Sequence, residues 1–125
     1  MESKWKNKNF FEALKNSCNG LVYAIKEQKN LKIQLFIAFL VIIFSAVLQI
    51  NKIEMILICM VICFVIFAEI LNTAIEKTVD LVTEEYNEKA KLAKDVSAGA
   101  VVIASINAII VGLIIFLEKI INVVR

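Results

Sequence analysis

The chain is 125 residues long, enough for one domain, and 60% of its residues are hydrophobic against 21% charged. A soluble domain of that size has too much surface to hide so much apolar side chain, so the composition excludes an ordinary globular protein. The lack of histidine removes the Ser–His and Cys–His catalytic pairs and most transition-metal sites, and a net charge of +2 is too small for a nucleic-acid partner.

The N-terminal part predicts an amphipathic helix. Phe10, Phe11, Leu14, Ser17, Cys18, Leu21, Val22 and Ile25 recur at three-to-four spacing, while Glu12, Lys15, Asn19, Lys26 and Lys29 point elsewhere. Such a helix lies in a membrane interface, with Trp5 before it as an anchor. No signal-peptide core or cleavage site is present in the first thirty residues. Three apolar runs follow, Ile33 to Ile50, Met55 to Ile75 and Val96 to Leu117. Spanning takes about 20 apolar residues, so each qualifies as a transmembrane helix, the first marginally. The expected fold is therefore an all-α membrane protein, one integral-membrane domain over 1–125 with a surface helix in 1–30 and three spans. Asn51, Lys52, Ile53 and Glu54 read as the turn between the first two spans, and Glu76 to Asp95 as a charged stretch of helix ends and loop. Cys18 stands alone, and Cys59 and Cys63 read as small residues packed among helices rather than a zinc site.

Orientation follows from the cations. Lys4, Lys6, Lys8, Lys15, Lys26, Lys29 and Lys32 precede the first span, and Lys77, Lys89, Lys91 and Lys94 fall in the second connection. Only Lys52, Lys119 and Arg125 lie on the other side. This bias puts the N-terminus and the second connection in the cytoplasm of a plasma-membrane protein.

A carboxylate inside a spanning helix is costly and marks function by default. Glu69, Asn72, Glu76 and Asp80 fall within an arc of about 80° on one helix face. Glu69 and Glu76 are about 10 Å apart along the axis, too far to chelate one ion together, so two separate tasks are implied. Three spans are not expected to enclose four polar side chains, which predicts an oligomer. Lys94 and Asp95 open the third span beside the small residues Ser97, Ala98, Gly99 and Ala100. A lysine next to an acidic stripe suits a phosphate that arrives with a divalent cation.

These residues carry a family resemblance. The run Glu69-Ile70-Leu71-Asn72-Thr73-Ala74-Ile75-Glu76, then Val79-Asp80, Glu85-Tyr86-Asn87 and Ala93-Lys94-Asp95-Val96 with Gly99-Ala100-Val101, resembles the prokaryotic diacylglycerol kinases. Within them it leans toward the undecaprenol kinase branch. The resemblance covers nearly the whole chain and implies a surface helix plus three spans, assembled as a homotrimer with active sites shared between subunits. It implies transfer of the ATP γ-phosphoryl group, with magnesium, to undecaprenol. Diacylglycerol, giving phosphatidic acid, is the alternative acceptor. Glu69 would be the general base. Asn30, Lys32, Glu69, Asn72 and Ala98 would contact the lipid. Asn16, Gln28, Glu76, Glu85, Tyr86, Asn87, Lys94 and Asp95 would contact ATP, and Glu76 and Gln28 would hold the metal.

Three departures accompany the match. Lys32 and Gln34 stand where the branch commonly has Arg and His, and Gln28 stands where the family has its second metal carboxylate, with Glu27 one residue out of register. Read from residues alone, a small multidrug-type exporter or a structural subunit remains an alternative. No glycine-rich phosphate loop is present, and direct in-line transfer requires none.

Overall fold

The computed structural model describes residues 6–125, so Lys4 and the proposed anchor Trp5 lie outside the described residues. It contains four helices, α1 (Phe10–Glu27), α2 (Lys29–Val47), α3 (Lys52–Val82) and α4 (Glu88–Val124), and no strand among the described residues. The last three are long and apolar enough to cross a membrane. Burial points the same way. The buried apolar set is small, and five polar residues join it inside, Ser45, Glu69, Asn72, Thr73 and Ser97. Large side chains such as Phe36, Phe39, Phe64, Ile103 and Ile114 face outward instead. Small and polar groups inside with bulky apolar groups outside is the pattern expected in lipid, which gives apolar side chains no reason to turn inward.

Side chains at the helix starts fix the boundaries. Asn9 Oδ1 accepts the Glu12 N–H at 2.8 Å, and Glu12 returns by accepting the Lys8 N–H at 2.5 Å. Asn51 and Glu54 form a reciprocal capping box at 2.9 and 2.7 Å, and Asn87 Oδ1 accepts from Lys89 and Ala90 at 2.9 and 3.2 Å. Asn51 to Glu54 are therefore the start of α3 rather than a turn. The chain reverses just before them, with Gln49 in the left-handed region at φ 49°. The first span accordingly begins at Lys29 and stops at Val47, short of the expected Ile50. Only residues 83–87 of the charged stretch 76–95 are non-helical. At 1.5 Å per residue, α3 and α4 are roughly 46 and 55 Å long, so both continue well beyond a hydrocarbon core about 30 Å thick.

Gln28 is the break between α1 and α2. Its backbone is extended (φ −97°, ψ 109°), yet its N–H still reaches the Ala24 carbonyl at 2.9 Å and its carbonyl accepts the Lys32 N–H at 3.2 Å. One residue thus caps both helices. Glu27 ends α1 and Gln28 lies outside both helices, so the two side chains are not related by a simple helical step.

α3 and α4 form the most extensive helix pair, with α2 laid against α3. The far end of the bundle is fastened by Lys119, 3.1 Å from Glu54, and by Phe44 against Phe116 with ring centroids 5.1 Å apart. At the other end α1 meets α3 where Lys77 lies over the Tyr23 ring, 5.8 Å from its centroid. Cys59 and Cys63 are exposed on α3 beside Met55 and Met60, not packed among the helices as the sequence predicts.

Ala104 on α4 is fully buried. Ala104→Leu should overpack the helix interior and destabilise the protein by about 1–3 kcal/mol, seen as a lower thermal midpoint in mild detergent. An unchanged midpoint would show that the space beside Ala104 can expand freely.

Candidate active site

The stripe on α3 grades from dry to wet. Glu69 and Asn72 are buried, at 3% and 7% exposure, Glu76 is half-buried and Asp80 is exposed. The single chain therefore covers the two innermost members unaided. The expectation that a neighbouring subunit must enclose the whole stripe fails for them.

Both α2 and α4 send a polar side chain to the buried part of this stripe. From α2, the Gln34 amide Nε2 donates to Glu69 Oε2 at 3.2 Å. From α4, Ser97 Oγ lies 2.6 Å from Asn72 Oδ1, and Asn72 Nδ2 donates in turn to Glu76 Oε1 at 3.2 Å. Thr73 Oγ1 donates a hydrogen bond to the Glu69 backbone carbonyl at 2.9 Å. Ser97 Oγ is also 2.8 Å from the Lys94 carbonyl, and its one proton serves only one acceptor at a time. The buried Asn72 oxygen has the greater need, since a carbonyl inside a helix already has its backbone partner.

Below this cluster is a water-facing hollow of about 600 Å³ around the α3–α4 connection. Asp80, Glu85, Tyr86, Asn87, Lys91 and Lys94 are among its walls. Four of the residues expected to meet ATP, Glu85, Tyr86, Asn87 and Lys94, are thus gathered in one place. The two lysines of the hollow are already ion-paired within the protein. Lys94 Nζ is 2.6 Å from Asp80 Oδ1, and Lys91 is ion-paired with Asp95 one turn along α4. Lys94 belongs to both regions, since its carbonyl faces Ser97 while its ammonium lines the hollow.

Other expected contacts fall outside this hollow. Asn16 is exposed on α1, where its amide donates to Asn7 at 2.6 Å. Asn30, Lys32 and Ala98 are exposed, and Gln28 is half-buried at the helix break. Among the described residues no three carboxylates or thiols cluster as a metal cage. Glu76 is a lone carboxylate with one oxygen accepting from Asn72. That sparse donor set suits magnesium, which keeps its waters and takes one or two carboxylates together with substrate phosphates.

A model of the prokaryotic diacylglycerol kinase family matches residues 15–116. The chain belongs to that family. It is 39% identical over 105 residues to a diacylglycerol kinase of Synechocystis sp., a match spanning 83% of this chain but 60% of that protein. It is 36% identical over 110 residues to the undecaprenol kinase of Bacillus subtilis, covering 88% of this chain and 89% of the relative. A diacylglycerol kinase of Escherichia coli is 38% identical over 71 residues, or 57% of this chain and 58% of the relative.

The two members that reach the stripe from other helices, Gln34 and Ser97, are not assigned a role by sequence reasoning. Gln34 is noted only as a departure from the branch, and Ser97 only as a small residue. A signal exists for Gln34, which is one of three polar interruptions in the first apolar run, with Ser45 and Gln49. Ser45 bonds its own helix at the Val41 carbonyl and Gln49 makes the turn, which leaves Gln34 for tertiary use. Ser97→Ala would leave the Asn72 oxygen buried without a donor, costing about 1–3 kcal/mol in thermal unfolding, whereas Ser97→Thr keeps the hydroxyl and should cost less. Equal losses in the two variants would mean that side-chain shape, not the hydrogen bond, holds α3 to α4.

Proposed function

We propose that this protein is an ATP-dependent lipid kinase that phosphorylates undecaprenol. The observation that carries the reading is the single rigid helix α3, on which a buried carboxylate with hydrogen-bonded neighbours leads directly to a hollow lined by lysines. Glu69 accepts the hydroxyl proton of the lipid alcohol. The alcohol oxygen bonds to the γ-phosphorus as the bond to the β,γ-bridging oxygen breaks, and ADP leaves. Lys94 exchanges Asp80 for phosphate, and the Glu85-Tyr86-Asn87 turn receives the rest of the nucleotide. Glu76 and the amide oxygen of Gln28 would hold magnesium, which would supply neutralisation of phosphate charge. Asn72 holds Glu76 in line with Ser97, and Asn30, Lys32 and Ala98 flank the lipid.

Undecaprenol is favoured because the match to the Bacillus subtilis undecaprenol kinase runs nearly end to end in both chains. Diacylglycerol is the second reading, supported by the Synechocystis relative. An exporter would have no use for the lysine-lined hollow. Helix α1, with Phe10, Phe11 and Leu14 exposed, lies in the cytoplasmic interface, and the hollow faces the cytoplasm. The working unit is a homotrimer with shared sites. This is supported by the small-residue face at exposed Ala98 and half-buried Gly99, where an added Cβ at Gly99 would meet nothing within 4 Å.

Glu69→Gln should abolish phosphate transfer to undecaprenol while ATP still binds, and parallel kinetics with diacylglycerol should show the lower kcat/KM. Near-normal turnover of Glu69→Gln would sink the base assignment, and a preference for diacylglycerol would reverse the choice of lipid.

For the shared site, mixing Glu69→Gln chains with Lys94→Ala chains should restore part of the activity that each lacks alone. Full activity from a monomer in mild detergent would remove the trimer from the mechanism.

A further inference from the structure

Gln34 is the only side chain of α2 that hydrogen-bonds to the α3 stripe among the described residues. An ionised carboxylate only accepts, so the amide must present its NH₂ group to Glu69, and its own oxygen is turned the other way. That oxygen, Gln34 Oε1, is buried and is the one buried side-chain polar atom without a partner among the described residues. Gln34 also stands at the edge of an apolar hollow of about 520 Å³ between α2, α3 and α4, otherwise walled by residues such as Val61, Ile62 and Ile109. A buried, unpaired acceptor is unfavourable, so a site that retains one is built to receive a donor. Ser105 is the one other polar side chain in the wall of that hollow, and it makes no hydrogen bond to this oxygen. A long-chain alcohol can supply the donor, because it carries one O–H at the end of a chain whose first segment the hollow can accept.

Resting on the lipid-kinase reading, we propose that Gln34 is the positioning residue of the base. Its N–H fixes one oxygen of Glu69 and so aims the other. Its orphan oxygen receives the alcohol's hydroxyl before the proton is transferred. The O–H hydrogen first bridges Gln34 Oε1 and the free oxygen of Glu69. It then passes to Glu69 as the alcohol oxygen bonds to the γ-phosphorus and ADP departs with the bridging oxygen. The protonated Glu69 later returns its proton to water. Gln34 is unchanged throughout.

The test uses the full-length protein in lipid nanodiscs, with ATP and undecaprenol varied separately. Gln34→Met keeps the length of the side chain and removes both polar groups. It should lower kcat by about 10- to 100-fold through misplacement of the base. It should also raise the lipid KM by about tenfold, the worth of one hydrogen bond, and leave the ATP KM within about twofold. Gln34→His supplies one donor and one acceptor in its neutral ring and should recover most of the lost kcat and lipid KM. A purely structural role predicts otherwise. Misfolding would scale kcat through the amount of active protein and leave both KM values alone, and that result, or a Gln34→Met variant within twofold of the parent, overturns the proposal. So does failure of Gln34→His to recover either parameter. If the unmodified protein phosphorylates no lipid alcohol, the lipid-kinase reading itself fails. If it does so while Gln34→Met stays normal, only the role of Gln34 is lost.

Discussion

Glu69 lies in a helix that is apolar for four turns before it, in a medium that offers a charge no water. Placing a carboxylate there is unfavourable by several kcal/mol unless protein groups meet it, and the rest of the bundle can be understood as the means of meeting it. α2 contributes Gln34, and α4 contributes Ser97 to the adjacent Asn72. Both contacts need the helices close together, and the residues buried around them, Ala38, Ala68 and Ala104, are small enough to permit that. The polar cluster thereby decides which faces of α2 and α4 turn inward, a choice that hydrophobicity cannot make when lipid and neighbour are equally apolar.

The hollow below obeys different physics. Lys94–Asp80 and Lys91–Asp95 are at least a third exposed, so water screens them and each pair is worth little on its own. Weak pairs serve a site that must change partners. They hold two ammonium groups in place, and in the proposed nucleotide site they would yield readily to a polyphosphate that offers more negative charge. The buried contacts above are not exchangeable in this way, which divides the site into a fixed upper half and a responsive lower half.

Much of this was legible in the sequence. The three apolar runs and the spacing of Glu69, Asn72, Glu76 and Asp80 depend on composition and helical period alone, and α3 carries them on one face. The boundaries were harder because they depend on caps. Asn51 reads as a turn residue until Glu54 is seen to return its bond, and Gln28 reads as mid-helix because no proline or glycine marks the break. Gln34 and Ser97 needed tertiary structure. A glutamine in an apolar run has no sequence neighbour that shows its partner is 35 residues away. Coverage of Glu69 and Asn72 was not legible for a related reason, because an enclosure made by interhelical hydrogen bonds cannot be counted from the number of spans.

The length of α3 has a consequence for the membrane itself. Glu69, Glu76 and Asp80 are rungs on one continuous rod that runs from Lys52 to Val82, so no loop lets one rung shift against another. The bilayer can move relative to them, however. Hydrocarbon thickness differs between membranes by a few Å, about two residues of helical rise, and helices answer such mismatch by tilting or sliding as units. A thinner bilayer carries the water boundary toward Glu69, and a thicker one draws Glu76 toward the acyl chains. The acyl-chain length of the host lipid is in this sense a setting for the hydration of the carboxylates, imposed from outside the protein.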